Sequence, residues 1–179
     1  MATSVLILPG YQGSGETHWQ TYWEKNHTDF KRIEQNDWDH PVCNEWAKNV
    51  EIAVKNAGKD VIIVSHSIGC LVVAHWAAMA HHSPIKGALI VAPPDPKEPT
   101  FPTIAEGFEH TPLQPFLFPS IIVASSNDPY ASLAYSKHIA DAWGSSLVNV
   151  GEKGHINTAS NLGLWEEGLT FLEQLRRTE

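Results

Sequence analysis

Short apolar runs alternate along the chain with longer segments whose apolar residues repeat at helical spacing. Apolar, β-branched runs of about four to eight residues are typical of strands, whereas apolar positions three and four residues apart are typical of helices. The pattern predicts six strands, at residues 4–8, 30–35, 60–65, 88–92, 119–125 and 146–150. It predicts five helices, at residues 16–26, 41–56, 68–82, 131–143 and 162–177.

Two neighbouring elements of this series have the composition of buried structure. Residues 60–65 read DVIIVS, which suits a strand covered on both faces. Residues 68–82 are apolar on nearly every side of a helix. Strands that alternate with helices favour a parallel sheet between two helical layers. We therefore expect an α/β fold with a mostly parallel six-stranded sheet, in a single domain over residues 1–179.

Composition and charge exclude several classes of protein. Hydrophobic residues make up 42% of the chain and charged residues 18%, which is typical of a globular protein. The net charge of -8 leaves no basic stripe for nucleic acid and disfavours an anionic membrane. The two cysteines, Cys43 and Cys70, form no disulfide or zinc motif, and the first residues do not have the pattern that we would expect of a secretion signal. We expect a cytoplasmic protein that binds neither nucleic acid nor membrane.

The segment 93–119 differs from the rest of the chain because it holds eight of the twelve prolines. A long loop of this kind in a compact domain is usually functional or mobile. It is either a lid or wall over a site, or a rigid surface crossover in place of a helix.

The motif Ser65-His66-Ser67-Ile68-Gly69 lies between the buried strand and the buried helix. It nearly matches G-x-S-x-G, the nucleophile elbow, in which a serine occupies a sharp strand-to-helix turn. The residues two before and two after the serine must be small, and Gly69 meets this requirement fully while Ser65 remains small. The motif makes Ser67 the candidate nucleophile.

A nucleophilic serine needs a base, and the base needs an acid that orients it. On a doubly wound sheet the chain order is serine, acid, histidine, with the last two on loops after later strands. Asp128 follows the strand at 119–125, and His155 follows the last strand. Asp95, after the preceding strand, is the reserve candidate for the acid.

An oxyanion hole requires two backbone donors. The N–H of Ile68, at the start of the helix, is the first candidate. The glycine-rich loop after the first strand offers Tyr11 as the second, with Gln12 as its alternative. This loop lacks both common nucleotide-binding glycine patterns.

Several aromatic and imidazole side chains are candidates for lining the substrate site. His18, Trp19 and Trp165 have this role as one interpretation and core packing as the other. His66, next to Ser67, is either structural or lines the pocket. The pair His81-His82 lacks companions at metal-ligand spacing, so we expect no metal and no cofactor.

Four stretches of the chain together resemble the small serine hydrolases related to retinoblastoma-binding protein 9, in the α/β-hydrolase superfamily. They read LPGYQGSGETHWQTYW, VSHSIGC, SSNDPY and GEKGHINTASNLGLW. The resemblance implies an α/β-hydrolase-like fold without a large cap domain, and a catalytic triad of Ser67, Asp128 and His155. It also implies hydrolysis of small ester or amide substrates without metal or cofactor.

One feature of the named relative does not carry over. Its pocket-binding motif is L-x-C-x-E, and the matching stretch here begins with Pro41 in place of leucine. We therefore do not expect binding to the retinoblastoma protein.

The expected function is that of a serine hydrolase that forms an acyl-enzyme intermediate on Ser67. One rival is a hydrolase-like fold that binds a ligand without turnover. Another is a thioesterase or lipase for long acyl chains, for which the phenylalanines of the proline-rich segment would have to form an apolar cleft. These are Phe101, Phe108, Phe116 and Phe118.

Overall fold

Six strands form one sheet in the order β2-β1-β3-β4-β5-β6 in the computed structural model, which describes residues 3–79 and 82–178. Every neighbouring pair of strands is parallel. The strands are β1 Ser4–Leu8, β2 Phe30–Arg32, β3 Val61–His66, β4 Gly87–Val91, β5 Ser120–Ala124 and β6 Ser146–Asn149. The expected α/β fold with six strands is confirmed.

Helices cover both faces of this sheet. They are α1 Trp19–Asn26, α2 Cys43–Ala57, α3 Ile68–Ala77, α4 Leu133–Trp143 and α5 Glu166–Arg177. Side chains from α2, α3 and α4 pack in one core cluster with one face of the sheet. Side chains from α1 and α5 pack in a second cluster with the opposite face. The alternate residues of β3 divide between the clusters, since Ile63 belongs to the first and Ile62 to the second.

The parallel register brings the carboxyl ends of the strands to one edge of the sheet. Ser65 pairs with Leu8 on one side of β3, and His66 pairs with Val91 on the other. The order of connections reverses between β1 and β3, and ligands of open α/β sheets bind at such a switch point. The loops after β1, β3, β4, β5 and β6 therefore meet at this edge.

The predicted elements are all present, with shifts at their ends. Helix α1 begins at Trp19 because His18 caps it, its Nδ1 accepting a hydrogen bond from the Gln20 N–H at 3.2 Å. Helix α5 begins at Glu166 because Gly163 and Trp165 have left-handed backbone, with φ of 57° and 40°. Helix α3 ends at Ala77, and His81 of the predicted helix end lies outside the described residues.

The proline-rich segment between β4 and β5 contains no helix and no cap domain. Two backbone hydrogen bonds join Glu106 to the start of α2, to Cys43 at 3.0 Å and Pro41 at 2.9 Å. Phe108 and Phe118 of this segment are buried in the core.

Nowhere in the described part of the chain is a helix both long and apolar enough to cross a membrane.

A buried carboxylate of α2, that of Glu51, joins this helix to the carboxyl end of α3. The Glu51 carboxylate accepts hydrogen bonds from the Trp76 indole N–H at 2.7 Å, and from the Ser83 N–H and hydroxyl at 3.0 and 2.8 Å. Burial alone would raise the pKa of Glu51, but these hydrogen bonds outweigh it and lower the pKa to about 2. The charged form is therefore the one that the fold stabilises.

We expect Glu51→Gln to destabilise the protein at neutral pH by about 1–3 kcal/mol, because it replaces charge-assisted hydrogen bonds with weaker ones. Since the folded pKa lies below the ordinary value of 4.5, this contribution is complete above that pH and lost as pH falls towards about 2. Urea unfolding followed by tryptophan fluorescence measures the change. Glu45→Gln, at an exposed position of the same helix, is the matched control, and equal effects of the two changes would contradict the prediction.

Candidate active site at the carboxyl edge of the sheet

Ser67 occupies the turn between β3 and α3 in a strained backbone conformation. Its φ is 56° and its ψ is -130°, a region that residues with a Cβ rarely adopt. The turn is held by the Ser67 N–H, which donates to the Val91 carbonyl at 3.0 Å, and by the Cys70 N–H, which donates to the Ser67 carbonyl at 2.8 Å. Such a turn projects the serine hydroxyl above the edge of the sheet.

The backbone of the β1 loop passes so close to this turn that side chains are excluded on both. A Cβ on Gly69 would lie 2.7 Å from the Pro9 carbonyl oxygen, and a Cβ on Gly10 would lie 2.8 Å from the Ser67 Cβ. Ser65 is fully buried, and its hydroxyl has acceptors in Cys70 Sγ at 3.4 Å and the Leu89 carbonyl at 3.5 Å. Those partners account for serine where the motif usually has glycine.

Ser67, His155 and Asp128 form a continuous hydrogen-bonded row. Ser67 Oγ lies 2.8 Å from His155 Nε2, and His155 Nδ1 lies 3.0 and 2.9 Å from the two carboxylate oxygens of Asp128. A carboxylate only accepts, so Nδ1 carries the proton and Nε2 accepts from the serine hydroxyl. The His155 and Asp128 side chains are 8% and 3% exposed, which shields the row from water.

The loop that carries His155 is fastened to the loop that carries Asp128. Asn127 Oδ1 accepts the Gly154 N–H at 2.7 Å and the Ser125 hydroxyl at 2.9 Å. The Ser125 hydroxyl in turn accepts the Lys153 N–H at 2.9 Å. Sequence reasoning missed these residues, although a polar Ser-x-Asn beside the candidate acid is a signal that points to them.

His66 and Trp19 also hold the backbone around His155. His66 Nε2 donates to the His155 carbonyl at 2.9 Å, and the Trp19 indole N–H donates to the Ile156 carbonyl at 2.8 Å. Ile156 is fully buried with a φ of 49°, a strained value for a β-branched residue. These contacts hold the strained turn in place.

Trp19 and Trp165, which the sequence offered as candidates for lining the substrate site, lie in the core instead. Trp19 and Trp165 are 1% and 4% exposed, and their ring centroids lie 4.8 Å apart within the core. Both residues belong to the cluster under α1 and α5, and neither lines the cavity beside Ser67. The helical spacing of Trp19 and Trp23 in α1 also serves core packing, since both are buried and their ring centroids lie 4.7 Å apart.

A cavity of about 580 Å³ opens beside Ser67 and His155. We call it the Ser67 cavity. Its lining comes from the β1 loop, the proline-rich segment, and the residues that follow His155. It includes Gln12, His18 and His66, which sequence reasoning named as candidates, and Thr100, Pro102, Thr103, Ile104, Tyr130, Asn157 and Thr158, which it did not name. The proline-rich segment is therefore a wall of this cavity.

The β1 loop also passes close to the start of α3, where the candidate oxyanion donors Tyr11 and Ile68 lie. A Cβ on Gly10 would lie 3.2 Å from the Ile68 nitrogen, so the loop approaches the start of α3 closely. The Gln12 N–H is engaged, since it donates to the Trp38 carbonyl at 2.8 Å. Among the residues that the structure describes, no backbone acceptor engages the N–H of Tyr11 or of Ile68.

Other candidates lie outside this constellation. Asp95 accepts the Lys97 N–H at 2.9 Å and lines a separate cavity. Burial raises the pKa of the Cys70 thiol to about 12, so it packs as a neutral group. Across residues 3–79 and 82–178 no cluster of side chains is arranged to hold a metal ion. Of the pair His81-His82, His81 lies outside that range.

The phenylalanines of the proline-rich segment do not form an apolar acyl cleft at Ser67. In the described chain, none of the four lines the Ser67 cavity. Phe108 and Phe118 are 1% and 7% exposed, and Phe116 stacks on Trp143 with ring centroids 4.9 Å apart. The feature on which the long-chain thioesterase or lipase rival depended is thus used for core packing.

Comparison with known families decides the class of the protein. The sequence model of the family described as serine hydrolase matches residues 5–174. The chain belongs to the serine hydrolase family. A YdeN-like hydrolase of Pectobacterium atrosepticum is similar to it, at 31% identity over 97% of this chain and 90% of that one, with a TM-score of 0.84.

More distant structures share the fold of this serine hydrolase. The ydeN gene product of B. subtilis is 16% identical over 99% of this chain and all of the other, with a TM-score of 0.79. Est1E of Butyrivibrio proteoclasticus, solved with ferulic acid, is 15% identical over 99% and 90% of the two chains, with a TM-score of 0.72. No curated protein sequence matches the chain.

We expect Gly10→Ala to lower hydrolytic activity by about a hundredfold or more, because the added Cβ must displace either the β1 loop, which carries the candidate oxyanion donor Tyr11, or the Ser67 turn. Turnover of a chromogenic ester, with circular dichroism to verify folding, measures the effect. Gly15→Ala in the same loop is the matched control, since its Cβ would meet nothing within 4 Å. Equal activity of the two variants would contradict the close approach described above.

We also expect Asn127→Ala to lower kcat by about tenfold or more, because it frees the Gly154 N–H and loosens the loop that carries His155. Asn127→Asp retains an acceptor oxygen and should recover most of the lost rate. Steady-state kinetics on the two variants makes the comparison. If both variants lost activity equally, the Oδ1 hydrogen bond would not be the feature that matters.

Proposed function

We propose that this serine hydrolase cleaves small carboxylic esters or amides through an acyl-enzyme intermediate on Ser67. The observation that carries the proposal is the hydrogen-bonded row Ser67–His155–Asp128, which ends in the Ser67 cavity. A serine hydroxyl becomes a useful nucleophile only when an oriented base accepts its proton.

In the first half of the proposed reaction, Ser67 Oγ attacks the substrate carbonyl carbon while its proton moves to His155 Nε2. The carbonyl electron pair moves to oxygen, and the N–H groups of Ile68 and Tyr11 stabilise that oxyanion. The imidazolium then gives its proton to the leaving alcohol or amine as the carbon–leaving-group bond breaks. Asp128 holds the ring in the required tautomer and stabilises its positive charge.

The second half repeats these steps with water as the nucleophile. His155 accepts a proton from water, the water oxygen bonds to the acyl carbon, and the proton returns to Ser67 Oγ as the acid leaves. The strained backbone at Ser67 supports this role, because such geometry persists where the surrounding structure requires it. No step needs a metal or a cofactor.

The size of the Ser67 cavity supports a small substrate. At about 580 Å³ it lies within the usual range for small-molecule sites, about 300–1,000 Å³.

A closer kinship to the relatives of retinoblastoma-binding protein 9 is also part of the proposal, on the motif resemblance alone. Two buried free cysteines are consistent with action in a reducing compartment.

A fluorophosphonate probe tests the proposed nucleophile. Wild type should gain one phosphonyl group at Ser67, detected by intact-mass and peptide mass spectrometry, and Ser67→Ala should gain none. Ser65→Ala, two residues away and fully buried, is the matched control that should still label. Labelling that persists in Ser67→Ala would refute the assignment, and a folded wild type that never labels would favour the non-catalytic binding protein.

A further inference from the structure

The lining of the Ser67 cavity carries no aspartate, glutamate, lysine or arginine among the described residues. Its polar groups are instead hydroxyls and amides, such as those of Thr100, Thr103, Gln12, Asn157 and Thr158. The lining differs in this respect from the chain as a whole, which has 20 carboxylate and 12 lysine or arginine side chains. A charged substrate group that entered this cavity would lose water and gain no ion partner.

The two histidines that line the cavity wall beside the triad do not supply a charge either. Desolvation by burial, reinforced by the nearby positive charge of Arg32, lowers the pKa of His18 to about 3. Desolvation by burial, reinforced by His18 and His155, holds the pKa of His66 well below its usual value. Both rings are therefore neutral at physiological pH, and their ring centroids lie 4.8 Å apart.

Two charged groups that lie behind residues of the wall, Arg32 and Asp128, already have hydrogen-bond partners. Arg32 donates to the Ser14 carbonyl at 3.2 Å from behind the β1 loop, and to the Glu24 carboxylate at 3.0 and 3.1 Å. Asp128 lies behind the His155 ring and accepts the Tyr130 N–H at 2.9 Å. Neither charged group is free to pair with a substrate.

We infer that the Ser67 cavity selects esters or amides whose acyl and leaving groups are both uncharged, and that it discriminates against carboxylate- and ammonium-bearing analogues. This inference rests on the proposed function of Ser67 and narrows its substrate class. The net charge of -8 acts in the same direction against anions, by repulsion during approach.

Three 4-nitrophenyl esters of matched length test the inference. They are 4-nitrophenyl methyl adipate, 4-nitrophenyl hydrogen adipate and 4-nitrophenyl 6-(trimethylammonio)hexanoate. The far end of the acyl chain is neutral in the first, anionic in the second and cationic in the third. We expect kcat/KM for each charged ester to be at least about tenfold lower than for the neutral one. Equal values for neutral and charged esters would overturn the inference while leaving the proposed function intact.

Thr103→Lys extends the test, because Thr103 lines the cavity yet is exposed enough to accept a longer side chain. It should raise the anionic-to-neutral ratio of kcat/KM by about threefold or more. Thr103→Met controls for length without charge. Leu117→Lys, 87% exposed near the amino-terminal edge of the sheet, controls for net charge alone.

The outcomes separate the two claims. A ratio that shifts in Thr103→Lys and in neither control supports the inference. An equal shift in Leu117→Lys would mean that overall charge, not the cavity lining, sets the preference, and would overturn it. If wild type hydrolysed none of the three esters, the result would count against the proposed function and would overturn the inference as well.

Discussion

The backbone of Ser67 sits at φ 56° and ψ -130°, a conformation that costs free energy, about 1–3 kcal/mol. The turn is stable because the surrounding structure leaves the backbone of Ser67 no other conformation. The Val91 carbonyl accepts the Ser67 N–H, and the β1 loop packs so closely on the turn that neither Gly10 of the loop nor Gly69 of the turn has room for a Cβ. Loss of either glycine would force the turn or the loop to move. The position of the serine hydroxyl and the close approach of the β1 loop therefore depend on one steric constraint.

The base is positioned by a different means, because His155 lies on a loop rather than on an element of the sheet. Asn127 joins its loop to the end of β5, and His66 joins it to the end of β3. Parallel strands make this possible, since they bring their carboxyl ends to the same edge. His66 donates its Nε2–H to the His155 carbonyl, and burial keeps the ring neutral. The same burial leaves the nearby cavity wall without charge.

Much of the fold followed from local sequence, because each strand and helix carries its own periodicity. The strand at residues 4–8 and the edge strand at Phe30 were predicted at their observed starts. The elbow motif and the chain order favoured Ser67, Asp128 and His155, which the structure brings into contact, although chain order left Asp95 as a reserve acid. The role of Trp19 could not be predicted, because a helical stripe of tryptophans has the same pattern in a core as beside a substrate. Its indole bond to the Ile156 carbonyl joins residues that are distant in sequence, and no local pattern encodes such a contact.

The measurement that tests the account most directly is a crystal structure of the protein inactivated by a fluorophosphonate. We predict a phosphorus atom bonded to Ser67 Oγ, with its oxygen within hydrogen-bonding distance, about 2.7–3.1 Å, of the Ile68 and Tyr11 nitrogens. His155 should retain both of its hydrogen bonds to Asp128 in that adduct. Phosphorus on any other residue, or an oxygen that points away from both N–H groups into solvent, would contradict the account.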